Sequence, residues 1–248
     1  MRILKKLLIL SILFVFNSCD KNDTPEITSG TLAIHFNHDW NEYPIDFNEL
    51  KYTNTYGNLI RISKIRYLIS NIILHKSDGN NINLEGYILV DLNKENLTMY
   101  ASNVPFDNYS SISFTFGFNE TDNIDGAYND LNSESWNWPQ MLGGGYHFMQ
   151  FEGKYKDTGT ENPFAYHMGT AKKSEGIFEQ NFFNVELNGF TFSNESTLNI
   201  HMNVAEWFTN PNTWNLNEYS INLMPNYDAQ KMMNENGKSV FRLGEINE

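Results

Sequence analysis

Six histidines, His35, His38, His75, His147, His167 and His201, are the side chains of this 248-residue chain best suited to chemistry near neutral pH. An imidazole can bind a metal, carry a proton or hydrogen-bond in a core, and its neighbours decide which. No two of the six stand at HxH, HxxxH or HExxH spacing, and Cys19 is the only cysteine, which excludes zinc-finger and zincin sites. There is no GxSxG elbow for a serine nucleophile. Asp and Glu number 30 against 17 Lys and Arg, so no glycosidase pair stands out from an acidic surface. Any metal site must therefore be assembled from separate strands, where side-chain parity is the guide.

The elements that would position these residues are strands. Short alternating stretches at Thr31–His38, Lys64–His75, Gly86–Leu92, Ser111–Phe118, Gly145–Phe151 and Thr197–Val204 are separated by turn pairs such as Asp78-Gly79, Asp125-Gly126, Asn188-Gly189 and Asn236-Gly237. Brief helical turns fit at Ala127–Leu131 and Ala205–Thr209. The pattern predicts an all-β fold, a single-domain, Greek-key-like β-sandwich with short helical turns. On these strands His38 shares a face with Leu32, Ile34 and Phe36, and His147 with Met149 and Phe151, so both are expected to point inward. His167 stands opposite in parity to Phe164, Tyr166 and Met168, beside Gly169. His35 and His201 face away from their strands' apolar sets, and His75 lies where a strand meets the HKSDGNN turn.

Two inward histidines near a methionine suit a soft metal such as copper(I), whereas calcium would need oxygens. Either histidine could equally be a hydrogen-bonded core residue, and Met149 ordinary core filler. The loop ETDNIDGAYND, with Asp122 and Asp125 flanking the turn, is a candidate calcium loop without EF-hand order. Trp40, Trp136, Trp207 and Trp214 could stack on sugar rings if exposed, which would suit a metal-free binding module or structural lipoprotein that engages glycan or a partner protein.

The N-terminus reads as a lipoprotein signal. Arg2, Lys5 and Lys6 precede an apolar run from Leu7 to Phe16, and Asn17-Ser18 leads into Cys19. Residues 1–18 are thus expected to be a signal peptide, 19–30 a lipidated cysteine and polar tether, and 31–248 the domain. Such a protein is exported and held at the cell envelope, with the outer membrane as the expected location and the lipid on Cys19 as the membrane contact. The formal net charge of −13, more negative once the signal's cations are removed, argues against nucleic acid as a partner.

Several stretches together resemble the MbnP-like copper-binding family, secreted or lipid-anchored β proteins associated with methanobactin and copper handling. They are LAIHFNH ending on His38, YTNTYGNLIRISKIRYLISNIIL from Tyr52 to Leu74, ISFTFGFNETDNIDG, GGGYHFMQFEGKY, YHMGT, NVAEWFTNP and NENGKSVFRLGE. The resemblance implies a non-enzymatic protein whose copper is held by histidines, sometimes with a kynurenine made by oxidising a tryptophan. It implies a di-haem oxidase or peroxidase, or another copper-handling protein, as partner. Carried onto this chain, the ligands would be His38, His147 and His167, with Met149 a weaker candidate. The oxidised tryptophan would be Trp138, with Trp136 the alternative. After Trp138 the chain reads Pro139-Gln140-Met141-Leu142, a departure from the WxWxxGY form of kynurenine-bearing members.

Overall fold

The computed structural model describes residues 27–247. In chain order it contains β1 (Ser29–Trp40), β2 (Tyr43–Pro44), β3 (Leu50–Thr53), β4 (Leu59–Lys76), β5 (Ile82–Asn83), β6 (Tyr87–Asp91), β7 (Thr98–Pro105) and β8 (Asp107–Phe116). The helix α1 (Asn129–Ser133) follows, then β9 (Met149–Lys156), β10 (Asn162–Met168), β11 (Ala171–Ser174), β12 (Ile177–Glu179), β13 (Phe183–Phe192) and β14 (Ser196–Asn203). The helix α2 (Tyr227–Gly237) and β15 (Phe241–Asn247) complete it, with 3-10 turns at Gln140–Leu142 and Val204–Phe208.

The strands form the expected sandwich. One sheet runs β15-β14-β1-β2, with β7 also on β1; the other runs β10-β9-β4-β8-β13, with β3, β5 and β6 also on β4. The first and fourteenth strands pair in parallel, which needs the long connection that the intervening domain supplies. The core between the sheets comes from alternate residues: Leu32, Ile34 and Phe36 of β1, Ile60, Ile62, Ile65 and Tyr67 of β4, and Leu198, Ile200 and Met202 of β14. β-branched and aromatic side chains suit this half-buried pleat, and β4, where they are densest, is the long central strand.

On β4 the parity carries Leu68 outward, yet Leu68 is fully buried. Its cover is the excursion from Gly117 to Phe148. That segment leaves with Gly117 N–H donating to the Leu68 carbonyl (2.8 Å) and returns with Leu68 N–H donating to the Phe148 carbonyl (3.0 Å). A second small core of Leu68, Phe118, Leu131, Trp136 and Tyr146 fills the space beneath it. The two stems cross closely: a Cβ on Gly117 would meet the Phe148 ring at 2.5 Å, and Gly117 has φ +91°, so only glycine serves there.

Two sequence expectations change. The strand expected over Gly145–Phe151 begins only at Met149. Phe148 bends the chain, donating its N–H to the Met168 carbonyl (2.7 Å), and consecutive residues Phe148 and Met149 both enter the main core. The helix α2 was not anticipated. Its buried face holds Gln230, Asn234 and Asn236 beside Ala229 and Met233, so no apolar 3.6-residue period shows in the sequence. Its one local signal is Asn226, whose side chain caps Ala229 N–H at 3.0 Å. The helical turns expected at Ala127–Leu131 and Ala205–Thr209 appear as α1 and the second 3-10 turn, each shifted by one or two residues.

Candidate metal site

The outer face of the eight-stranded sheet, under the excursion, gathers the side chains with chemical potential. Antiparallel register aligns Arg66 of β4, Gln150 of β9 and His167 of β10 in one row, and Lys64, Glu152 and Ala165 in the next. His167 thus points outward, opposite to Phe164, Tyr166 and Met168, as its parity predicts. The bend at Phe148 inverts the expected side for His147. Instead of joining Met149 in the core, its ring lies 5.4 Å from the His167 ring, nearly perpendicular to it. The tryptophans close the remaining sides. Trp138 stands edge-on to His147 at 4.9 Å and Trp136 is tilted at 5.5 Å. Gly169 permits this, since a Cβ there would meet the Trp138 indole at 2.5 Å.

Each imidazole has one nitrogen already committed. His147 Nδ1 lies 3.1 Å from the Trp136 carbonyl oxygen, which can only accept, so Nδ1 carries the proton and Nε2 the lone pair. That Nε2 is buried and without a hydrogen-bond partner among the described residues. His167 Nε2 lies 2.9 Å from Glu152 Oε1. The His167 hydrogen bond, then the Lys64 ammonium at 2.9 Å, hold the Glu152 carboxyl down to about 2 against the opposing effect of burial. Ionised Glu152 therefore accepts from His167 Nε2–H, so Nδ1 is the nitrogen of that ring not engaged with it. Metal-binding histidines are commonly oriented this way, with the second N–H given to a carboxylate or a backbone carbonyl.

Burial, then the neighbouring His167 and Arg66, push His147 down to about 3, so its Nε2 carries no proton to displace at neutral pH. Arg66 stacks its guanidinium 4.9 Å from the Trp136 ring centroid and donates Nε–H to Gln150 Oε1 (2.9 Å). It also reaches Glu134, which Lys94 bonds from the other side. Arg66 is largely buried, which would be costly for an unpaired guanidinium, but these acceptors satisfy its fork.

The other expected site residues lie elsewhere. His38 is on the opposite sheet, its Nε2 2.8 Å from the hydroxyl of core residue Tyr67. The eight-stranded sheet thus separates it from the outer-face pair. Met149 is fully buried in the main core, on the side of the sheet away from Glu152 and His167. His35 bonds Thr98, His75 bonds Ser113, and His201 lies 3.6 Å from Asp39. Among the described residues no three His, Cys, Asp or Glu come together as a metal cluster, so the three-histidine set does not converge. In the candidate calcium loop, Asp122 meets the Asn71 amide at 3.4 Å and Asp125 the Gln140 amide. Trp40, Trp136, Trp207 and Trp214 are all buried, which removes them as sugar-stacking platforms. Cys19 lies outside the described residues. Among those described, no helix is long and apolar enough to cross a membrane.

Sequence reasoning missed Glu152, Gln150 and Arg66. Their signal was the same parity that placed His167 outward, read on the two neighbouring strands.

A β-sandwich whose longer sheet carries a roofed histidine pair on its outer face is the class of protein this structure defines. A family model, MbnP, matches residues 29–227, and the chain belongs to that family. Among solved structures it is similar to MbnP from Methylosinus trichosporium, with a TM-score of 0.60 and 12% identity over 89% of this chain and 99% of that one. No curated protein matches it. Membership points to a methanobactin-related, copper-associated role.

Proposed function

We propose that the protein is a non-catalytic copper carrier of the cell envelope, tethered by a lipid on Cys19, in which His147 and His167 are the metal-binding side chains. The observation that carries this reading is the buried, unpartnered Nε2 of a neutral His147 whose ring lies 5.4 Å from that of His167, itself anchored through Nε2 to Glu152. Leaving such a nitrogen unpaired costs about 1–3 kcal/mol, which a bound ion would recover. Two imidazoles suit copper(I), which accepts low coordination numbers and nitrogen ligands. Copper would be the cargo, captured, stored or handed over, and the residues around it bind and orient rather than react. Glu152 and the Trp136 carbonyl fix the two rings, and the excursion excludes water.

A secreted di-haem oxidase or another copper-handling protein is the partner this family reading favours, with the outer membrane as its setting. If a tryptophan is oxidised, the surroundings favour Trp138 over Trp136. The Arg66 guanidinium over Trp136 opposes removal of an electron from that ring, whereas Trp138 donates Nε1–H to the Leu142 carbonyl at 3.1 Å. The test is metal analysis of the domain from residue 27 onward after copper(I) loading and desalting. Wild type should retain copper, the His147→Ala/His167→Ala double variant should lose it, and His38→Gln should keep it. No retention by folded wild type would end the copper reading.

A further inference from the structure

We infer that Gln230, on the C-terminal helix α2, is the positioning residue that sets the His167 end of β10. The inference rests on the histidine-pair reading for its functional consequence, but its geometry stands apart from it. β10 is the edge strand of its sheet, so alternate backbone groups along it lack a ladder partner. Gln230 is fully buried and supplies those partners on both sides of Met168. Its Nε2 donates to the His167 carbonyl at 2.7 Å, and its Oε1 accepts from Gly169 N–H at 3.2 Å. A second Nε2 bond to the Leu223 carbonyl (3.2 Å) holds the side chain in that orientation, while the Asn181 amide donates chiefly to the Gln230 main-chain carbonyl (3.0 Å).

The segment so held is the one on which the site depends. His167 presents its ring to His147, the Met168 carbonyl accepts from Phe148 at the bend, and Gly169 makes room for Trp138. A shift of the β10 edge would move all three together. Gln230 lies beyond Tyr227, where the family match ends, so this support comes from a part of the chain outside the matched region.

Gln230→Met keeps the side-chain volume and removes every hydrogen bond, while Gln230→Glu keeps an acceptor for Gly169 N–H and loses the donor to His167. Asn181→Ala disturbs the same buried network without touching β10. In the metal-free domain, the ring nitrogen signals of His167 and the exchange of its Nε2–H should change in both Gln230 variants and stay at wild-type values in Asn181→Ala. Copper affinity should fall about 10-fold or more in the Gln230 variants alone, the scale expected when a supporting residue behind a ligand is lost. Unchanged His167 signals in either folded Gln230 variant, or an equal change in Asn181→Ala, would overturn the assignment. Absence of copper binding by wild type would end the proposed function while the metal-free signals still decide the role of Gln230.

Discussion

His38 offers a sharp separation between a core histidine and a metal ligand. Burial, followed by the like charges available to His35 and His201, pushes its imidazole down to about 3 despite the opposing Asp39 carboxylate. In the unfolded chain the ring titrates near 6.5. Below that pH the unfolded state binds a proton that the folded state refuses, so stability falls as pH drops from 6.5 towards 3 and the loss levels off below. At pH 5 the difference amounts to at most about 2 kcal/mol, a substantial share of a typical domain's stability. His38→Gln keeps a polar group for the Tyr67 hydroxyl and removes the titration. Urea unfolding followed by tryptophan fluorescence at pH 7.5 and pH 5 should show a steeper loss for wild type than for His38→Gln, with the gap approaching that figure. Equal pH dependence in the two proteins would refute the reasoning. Loss of copper retention in the folded variant would return His38 to the ligand set.

Two other perturbations test how the site is built. Leu68→Ala should cost about 2–5 kcal/mol, the range for emptying a buried leucine position, and hydrogen exchange should quicken across 117–148 while β14 and β15 stay protected; uniform quickening would mean the excursion is not a separable layer. Glu152→Gln removes a carboxylate held down to about 2 chiefly by His167, whose stabilisation is present above about 4.5 and lost as pH falls towards 2. Discounted for its partial exposure, that contribution is about 1 kcal/mol, so denaturation curves of the variant should be flatter between pH 5 and pH 2.5 than those of wild type, and its copper affinity lower by about 10-fold.

Much of the sandwich was legible because alternation on β1, β4, β8 and β14 is nearly unbroken, and each inward position could be read directly from Leu32, Ile34, Phe36 and their counterparts. His167 was legible for the same reason. His147 was not, because parity holds only while the strand lasts, and the chain bends at Phe148. The sequence reading put His147 inward and His167 outward, on opposite sides of a sheet, and asked them to meet. The bend resolves that contradiction by carrying His147 over to the outer face, and no local residue type announces it; Gly143, Gly144 and Gly145, all at positive φ, mark only the turn before it. The polar inner face of α2 hid that helix in the same way that apolar residues revealed the strands.

The roof over the outer face also explains why His147 is neutral there. On an open sheet the His147 ring would be solvated and would titrate like any exposed imidazole. Under the excursion it loses water on several sides, to Trp136, to Trp138 and to His167 itself, and that burial outweighs the Trp136 carbonyl, whose hydrogen bond by itself favours the protonated ring. The outward Leu68 is the fully buried sheet residue that holds that roof down, and a polar residue there would leave the underside of the excursion only the partly buried Tyr87 and Leu89 of β6 to cover. The pair's chemistry therefore depends on a leucine, on the opposite parity from the core, that hydrogen-bonds to neither histidine. Placing a buried, deprotonated imidazole on the outside of a sheet requires a second core, and residues 117–148 supply it.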